Sequence, residues 1–138
     1  MAEKQSLYVL DTFALVAHFE AEVGGERVRD LLKRAEAGEI FLGMSLINMG
    51  ELAYIMRRQQ GADKAQAVLA DLRSFPITFY EATEERVLAA AWLKAEYPIS
   101  YADAFAASLA QELGASLVTG DPEFKTIKQN LSLIWLEK

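Results

Sequence analysis

The chain has 138 residues, 52% of them apolar and 25% charged, with three prolines and eight glycines; this composition fits one globular domain and excludes collagen-like, low-complexity and disordered classes. Cysteine is absent and histidine occurs once, which removes disulfides, thiolate nucleophiles, zinc–cysteine centres and multi-histidine sites, so any bound metal rests on oxygen ligands, as Mg²⁺ or Mn²⁺ does. The formal net charge of −6 argues against holding a polyanion by charge alone and suits a basic partner.

The opening "MAEKQS" leads into an apolar run too short for a secretory segment, and no stretch approaches the length of a membrane span, so a cytosolic protein is expected. Residues 6–10 (SLYVL) predict a buried strand, with Thr12 as the N-cap of a helix over 13–20. After Gly24 and Gly25, the spacing of Val28, Leu31, Leu32 and Ala35 predicts an amphipathic helix over 26–37, ended by Gly38. Residues 39–43 (EIFLG) read as a second strand. Ser45 then caps a helix running to about Gln60, and Gly61 separates it from another over 62–73. "PITFY" (76–80) reads as a third strand, and Thr83 with Glu84 and Glu85 starts a helix that runs to about 95 and is closed by Pro98. Ser100 caps a helix over 101–112 that ends at Gly114; "ASLVT" (115–119) is a strand, 122–128 a short helical turn, and "LSLIW" (131–135) a last strand. Apolar strands alternating with helices predict a single domain over 1–138: a three-layer α/β/α sandwich on a mainly parallel five-stranded sheet. The helix pairs at 13–37 and 45–73 exceed the minimum crossover, so one member of a pair is expected to cover the sheet edge.

Within this pattern four carboxylates stand alone in long uncharged stretches: Asp11 in "LYVLDTFALVA", Glu51 in "IFLGMSLINMGELAYIM", Asp103 in "YPISYADAFAASLAQ" and Asp121 in "LGASLVTGDP". An unpaired buried carboxylate is costly, so each must reach solvent, meet a cation or lose its charge. Asp11 and Asp121 follow the C-terminal ends of predicted parallel strands, where open α/β sheets form their ligand crevice, and are expected to converge. Four carboxylates meeting in one place imply a divalent ion, because their mutual repulsion otherwise suppresses ionisation. Carboxylate-held Mg²⁺ that keeps its waters serves phosphodiester hydrolysis, one ion activating the attacking water and another stabilising the leaving oxygen. Taken singly, each acid has an ordinary explanation as a cap, a turn residue or a solvated helix face.

These same strings resemble the PIN-domain family, and in particular its VapC-type toxins of toxin–antitoxin pairs. "YVLDTFALVA" is similar to the family's opening strand and first acid, "SLINMGELAYIM" to its glutamate helix, "ISYADAFAASLA" to its second aspartate helix, and "LVTGDPEF" to its closing strand and aspartate. The resemblance runs from end to end. It implies that Asp11, Glu51, Asp103 and Asp121 form the acidic catalytic quartet of a Mg²⁺- or Mn²⁺-dependent endoribonuclease, with Asp11, Asp103 and Asp121 as metal ligands and Asp11 and Asp103 foremost among them. Thr12, Asn48, Ser100 and Thr119 are then candidates for holding the carboxylates or contacting a phosphate, with capping the better reading for Ser100. The resemblance further implies a small, usually basic antitoxin as partner, an RNA substrate and a toxin homodimer. Arg57 and Arg58, or Lys125 and Lys128, are candidates for backbone-phosphate contacts.

The remaining candidates read as structural. His18 is expected at the surface or as a cap rather than as a base. Trp92, Trp135, Tyr97 and Tyr101 are expected mostly in the core, with Tyr101 nearest the site entrance. The alternative functions are a noncatalytic PIN-fold module that binds protein or RNA, and a phosphotransferase with Asp11 as nucleophile; the latter lacks a lysine in a comparable setting near a later strand end.

Overall fold

In the computed structural model, residues 6–127 and 130–136 are described. In chain order the elements are β1 (Ser6–Leu10), α1 (Thr12–Phe19), α2 (Gly25–Glu36), β2 (Ile40–Ser45), α3 (Leu46–Gln60), α4 (Ala62–Ser74), β3 (Thr78–Tyr80), α5 (Glu84–Glu96), α6 (Tyr101–Leu113), β4 (Ser116–Thr119), a 3₁₀ turn (Pro122–Thr126) and β5 (Ser132–Trp135). The strands form one sheet in the order β3-β2-β1-β4-β5, and every neighbouring pair is parallel. The α/β/α expectation holds.

Successive strand residues point to opposite faces, and this alternation divides the core in two. Leu10, Leu42, Met44 and Val118 pack with Leu15 of α1, Leu31 of α2, Leu52 and Met56 of α3, and Val68 and Leu72 of α4. Val9 and Leu117 face the other way, onto Ala90 of α5, the alanine-rich α6, and Phe124 and Ile127 around the 3₁₀ turn. Residues 103–110 of α6 are buried without interruption. The small alanine side chains let α6 lie close on β1, β2 and β4, so an acid on its first turn is held against the protein. Of the helix pairs, α4 lies mainly against α3, and its Val68 and Leu72 close the core toward Ile77, just ahead of the edge strand β3.

Local chemistry explains most boundaries. Ser45, Thr83 and Ser100 each cap a helix by accepting a backbone N–H, from Ile47, Arg86 and Asp103 respectively. Gly114 ends α6 in the left-handed conformation, which glycine adopts without steric cost. Three expectations change. The N-cap of α1 is Asp11, not Thr12, which is already the first helical residue. Strand β3 is confined to Thr78–Tyr80, since Pro76 has no N–H to give the ladder. The turn after β4 is 3₁₀ over Pro122–Thr126; the end of the segment expected there, Lys128 included, lies outside the described residues, as do residues 1–5 of the opening segment.

Candidate metal centre

Strand β1 is central, with β2 on one side and β4 on the other, so connections leave it in both directions and a crevice opens at its C-terminal end. Asp11 sits at that point. Its Oδ1 accepts the Ala14 N–H at 2.8 Å and so caps α1. The residue is 1% exposed, and Oδ2 is buried without a hydrogen-bond partner. Such an orphaned oxygen carries a desolvation cost that a bound cation removes. Burial pushes the Asp11 carboxyl up to about 7; the Thr119 hydroxyl and the Ala14 N–H oppose the rise, and the charges of Asp121 and Glu51 add to it.

Asp103 occupies the first turn of α6, where its N–H is held by Ser100 Oγ at 3.1 Å. Its carboxyl rises to about 8, first through burial and then through the negative charges of Asp121 and Asp11. Asp121 follows β4: its N–H donates to Thr119 Oγ1 at 3.0 Å, and its Oδ1 accepts the Glu123 N–H at 2.9 Å. Carboxylate oxygens of Asp103, Asp121 and Glu123 lie within 4.8 Å of one another. They open onto a cleft of about 430 Å³ lined also by Thr12, Phe13, Val16 and Glu22 on one side and by Glu51, Ile55 and Gln59 on another. The last three are spaced at i, i+4 and i+8, so they form one face of α3. Three of the four lone acids of the sequence, Glu51, Asp103 and Asp121, therefore line one cleft, and the buried Asp11 lies close enough to feel the charges of Asp121 and Glu51.

The polar candidates divide. Thr119 touches the acids directly. Thr12 and Asn48 instead bind each other and the backbone: Thr12 Oγ1 donates to Asn48 O at 3.2 Å and accepts from Asn48 Nδ2 at 3.3 Å, while Nδ2 also donates to Ala102 O at 3.1 Å. Asn48 thus ties the start of α1 to the start of α6, the two helices that carry Asp11 and Asp103. Ser100 acts as a cap and also lines the cleft.

Other residues fall elsewhere. His18, in the last turn of α1, is half-buried rather than fully at the surface; its ring packs edge-on to Phe19 and Phe75, and burial pushes its pKa down. Trp92 is 65% exposed rather than core. Tyr101 is exposed and leans on Phe105. Lys125 covers the Trp135 ring at 4.6 Å, and Arg58 covers Tyr54 at 5.0 Å, so each cation already has an aromatic partner. Glu123 is the residue the sequence reading missed. It lies among charged neighbours, so the criterion of a lone acid does not select it.

The donors present are carboxylate oxygens, the set that suits a hard divalent cation, and the buried orphan Asp11 Oδ2 fits such an ion. A parallel α/β sandwich with this acidic cleft at its central strand defines the class, and comparison with known proteins gives the family. The PIN domain model matches residues 8–130, and the chain belongs to the PIN-domain family. A comparison with curated proteins finds no significant match. Among solved structures, the chain is similar to VapBC2 from Rickettsia felis bound to a promoter DNA fragment (23% identity, TM-score 0.73, covering 95% of this chain and 99% of that one). It is also similar to VapBC-1 from nontypeable Haemophilus influenzae (25% identity, TM-score 0.68, 96% and 99%). A third is VapC20 from Mycobacterium tuberculosis, described as a Sarcin-Ricin loop cleaving toxin (22% identity, TM-score 0.65, 87% and 93%).

Proposed function

We propose that the protein is a divalent-metal-dependent endoribonuclease acting as the toxin of a toxin–antitoxin pair. The observation that carries this reading is a cleft lined by Glu51, Asp103 and Asp121, together with the neighbouring buried Asp11, which feels the charges of Asp121 and Glu51 and leaves one carboxylate oxygen unpartnered. Family membership supports nuclease chemistry, and likeness to VapBC structures supports a toxin with a protein partner. Asp11, Asp103 and Asp121 hold the metal, which is Mg²⁺ or Mn²⁺ and, when bound, supplies Lewis-acid polarisation of the phosphate and an acidified water. Thr119 keeps the Asp121 backbone in place and eases the charge on Asp11. Glu51, on the α3 wall, accepts a hydrogen bond from the attacking water and orients it. Asn48 sets the spacing of the two metal-holding helices. Exposed Arg57, near the end of α3, is placed to meet an RNA phosphate.

The same reading implies a basic antitoxin that covers the acidic cleft, to which a chain of charge −6 is complementary. It also implies a homodimer and an intracellular site of action. Partner-free protein incubated with structured RNA and Mn²⁺ tests the reading. Cleavage that EDTA, Asp11→Asn and Asp103→Asn each abolish supports it; binding of RNA without cleavage by folded, metal-supplied protein favours the noncatalytic module instead.

A further inference from the structure

We propose that a second cavity, beside the acidic cleft, is a nucleotide subsite for the RNA substrate, in which a base stacks on the aromatic rings of Phe13 and Trp135 and Lys125 meets a backbone phosphate. This deepens the ribonuclease reading above and rests on it. The cavity measures about 930 Å³ and is lined by Phe13, by Glu22 and Val23 between α1 and α2, by Lys125 of the 3₁₀ turn and by Trp135 of β5, a size at which pockets take small organic molecules. Two observations join it to the acids. Phe13 and Glu22 line both this cavity and the cleft that holds Asp103 and Asp121. The run Gly120–Asp121–Pro122 also serves both, since Asp121 lines the cleft and its two neighbours line the cavity. A side chain at Gly120 would collide with the Phe13 ring, so the glycine is what lets that ring lie along the border. An RNA strand with a phosphate at the acids therefore has an adjacent nucleotide within reach of the cavity.

Chemistry selects the occupant. Among the described residues the acidic cleft is lined by no lysine or arginine, so phosphates flanking the cut need a cation from outside it. Lys125 supplies one: its Nζ stands 4.6 Å from the centre of the Trp135 ring, and the side chain is exposed, which leaves ammonium donors free for a phosphate. An aromatic face beside a cation is the pairing that single-stranded RNA engages, base on ring and phosphate on charge. Glu22 adds an acceptor for a base amino group. A segment of a basic antitoxin would instead meet Lys125 as a like charge.

The test uses the full chain, partner-free, with Trp92→Phe so that Trp135 is the sole indole. Adenosine 5′-monophosphate is titrated against ribose 5-phosphate, which carries the phosphate without the base. Saturable quenching of Trp135 emission by the nucleotide and not by the sugar phosphate is expected; equal quenching by both marks a phosphate contact only and overturns the base subsite. With RNA that the wild type cleaves, Trp135→Ala should raise KM by about fivefold or more, and Trp135→Phe, which keeps an aromatic face, should restore it. Lys125→Gln, at an exposed position, decides the matter if Trp135→Ala fails to fold: it should flatten the dependence of log KM on log salt by about 0.7. No quenching by the nucleotide, with wild-type KM and salt dependence in Lys125→Gln, overturns the inference and leaves the ribonuclease reading standing. If the wild type cleaves no RNA, that reading fails, and the nucleotide titration alone decides whether the cavity takes a base.

Discussion

At the scale of single residues, Asp11 does two jobs that a sequence pattern does not distinguish. One carboxylate oxygen caps α1 and the other is left bare and buried. Asp11 and Asp103 have folded pKa values of about 7 and about 8, raised from an ordinary 3.8. The metal-free fold therefore binds protons more tightly than the unfolded chain between those limits, and its stability must fall as pH rises from about 4 to about 8. A divalent ion offsets this most where the acids are ionised. Melting curves should therefore show a larger Mn²⁺-induced gain at pH 8 than at pH 5; Asp103→Asn should flatten the metal-free pH dependence, and equal gains at both pH values contradict the account. The lone-acid criterion found Asp11 because an uncharged stretch around a carboxylate is visible in one dimension. Glu123 was not legible, since only the fold-back of the 3₁₀ turn brings it to Asp103.

At the scale of elements, the site depends on how α1, α3 and α6 are tied together. Asn48 makes that tie through Thr12 and the Ala102 carbonyl. Asn48→Ala leaves buried polar groups unpaired at a cost of about 1–3 kcal/mol, and chemical denaturation should register it with a parallel loss of RNA cleavage; full activity in a destabilised variant contradicts the positioning role. Gly120 is constrained differently. A Cβ there would lie 2.4 Å from Phe13 Cε1 and 3.1 Å from the Leu136 carbonyl oxygen. Gly120→Ala must displace the Phe13 ring that lines the cleft, and a cycle with Phe13→Ala should show the double variant more stable than the sum of the single effects. The helices were legible because Ser45, Thr83 and Ser100 and the glycines at 38, 61 and 114 are local signals. The choice between Asp11 and Thr12 as cap was not, because both residue types cap well and the Thr12 hydroxyl is taken by a distant partner, Asn48.

For the whole molecule, topology does what no local pattern states: reversal of strand order at β1 brings the ends of β1 and β4, about 110 positions apart in the chain, to one crevice. Asp11 and Asp121 were expected to converge on this ground, and they do. Side-chain exposure was less legible. Trp92, expected in the core, stands out from α5 one turn beyond exposed Leu88, an apolar pair suited to burial in the proposed homodimer, for which light scattering should return twice the chain mass. With a net charge of −6, RNA binding should depend on the ion as well as on surface cations, so filter binding in EDTA should fall well below that in Mn²⁺. The most direct measurement is an anomalous difference map at the manganese edge from a crystal of the partner-free protein soaked in Mn²⁺. A peak enclosed by the carboxylates of Asp11, Asp103 and Asp121 is the predicted result. A map with no peak there at neutral pH, from a crystal whose cleft is open to solvent, contradicts the account.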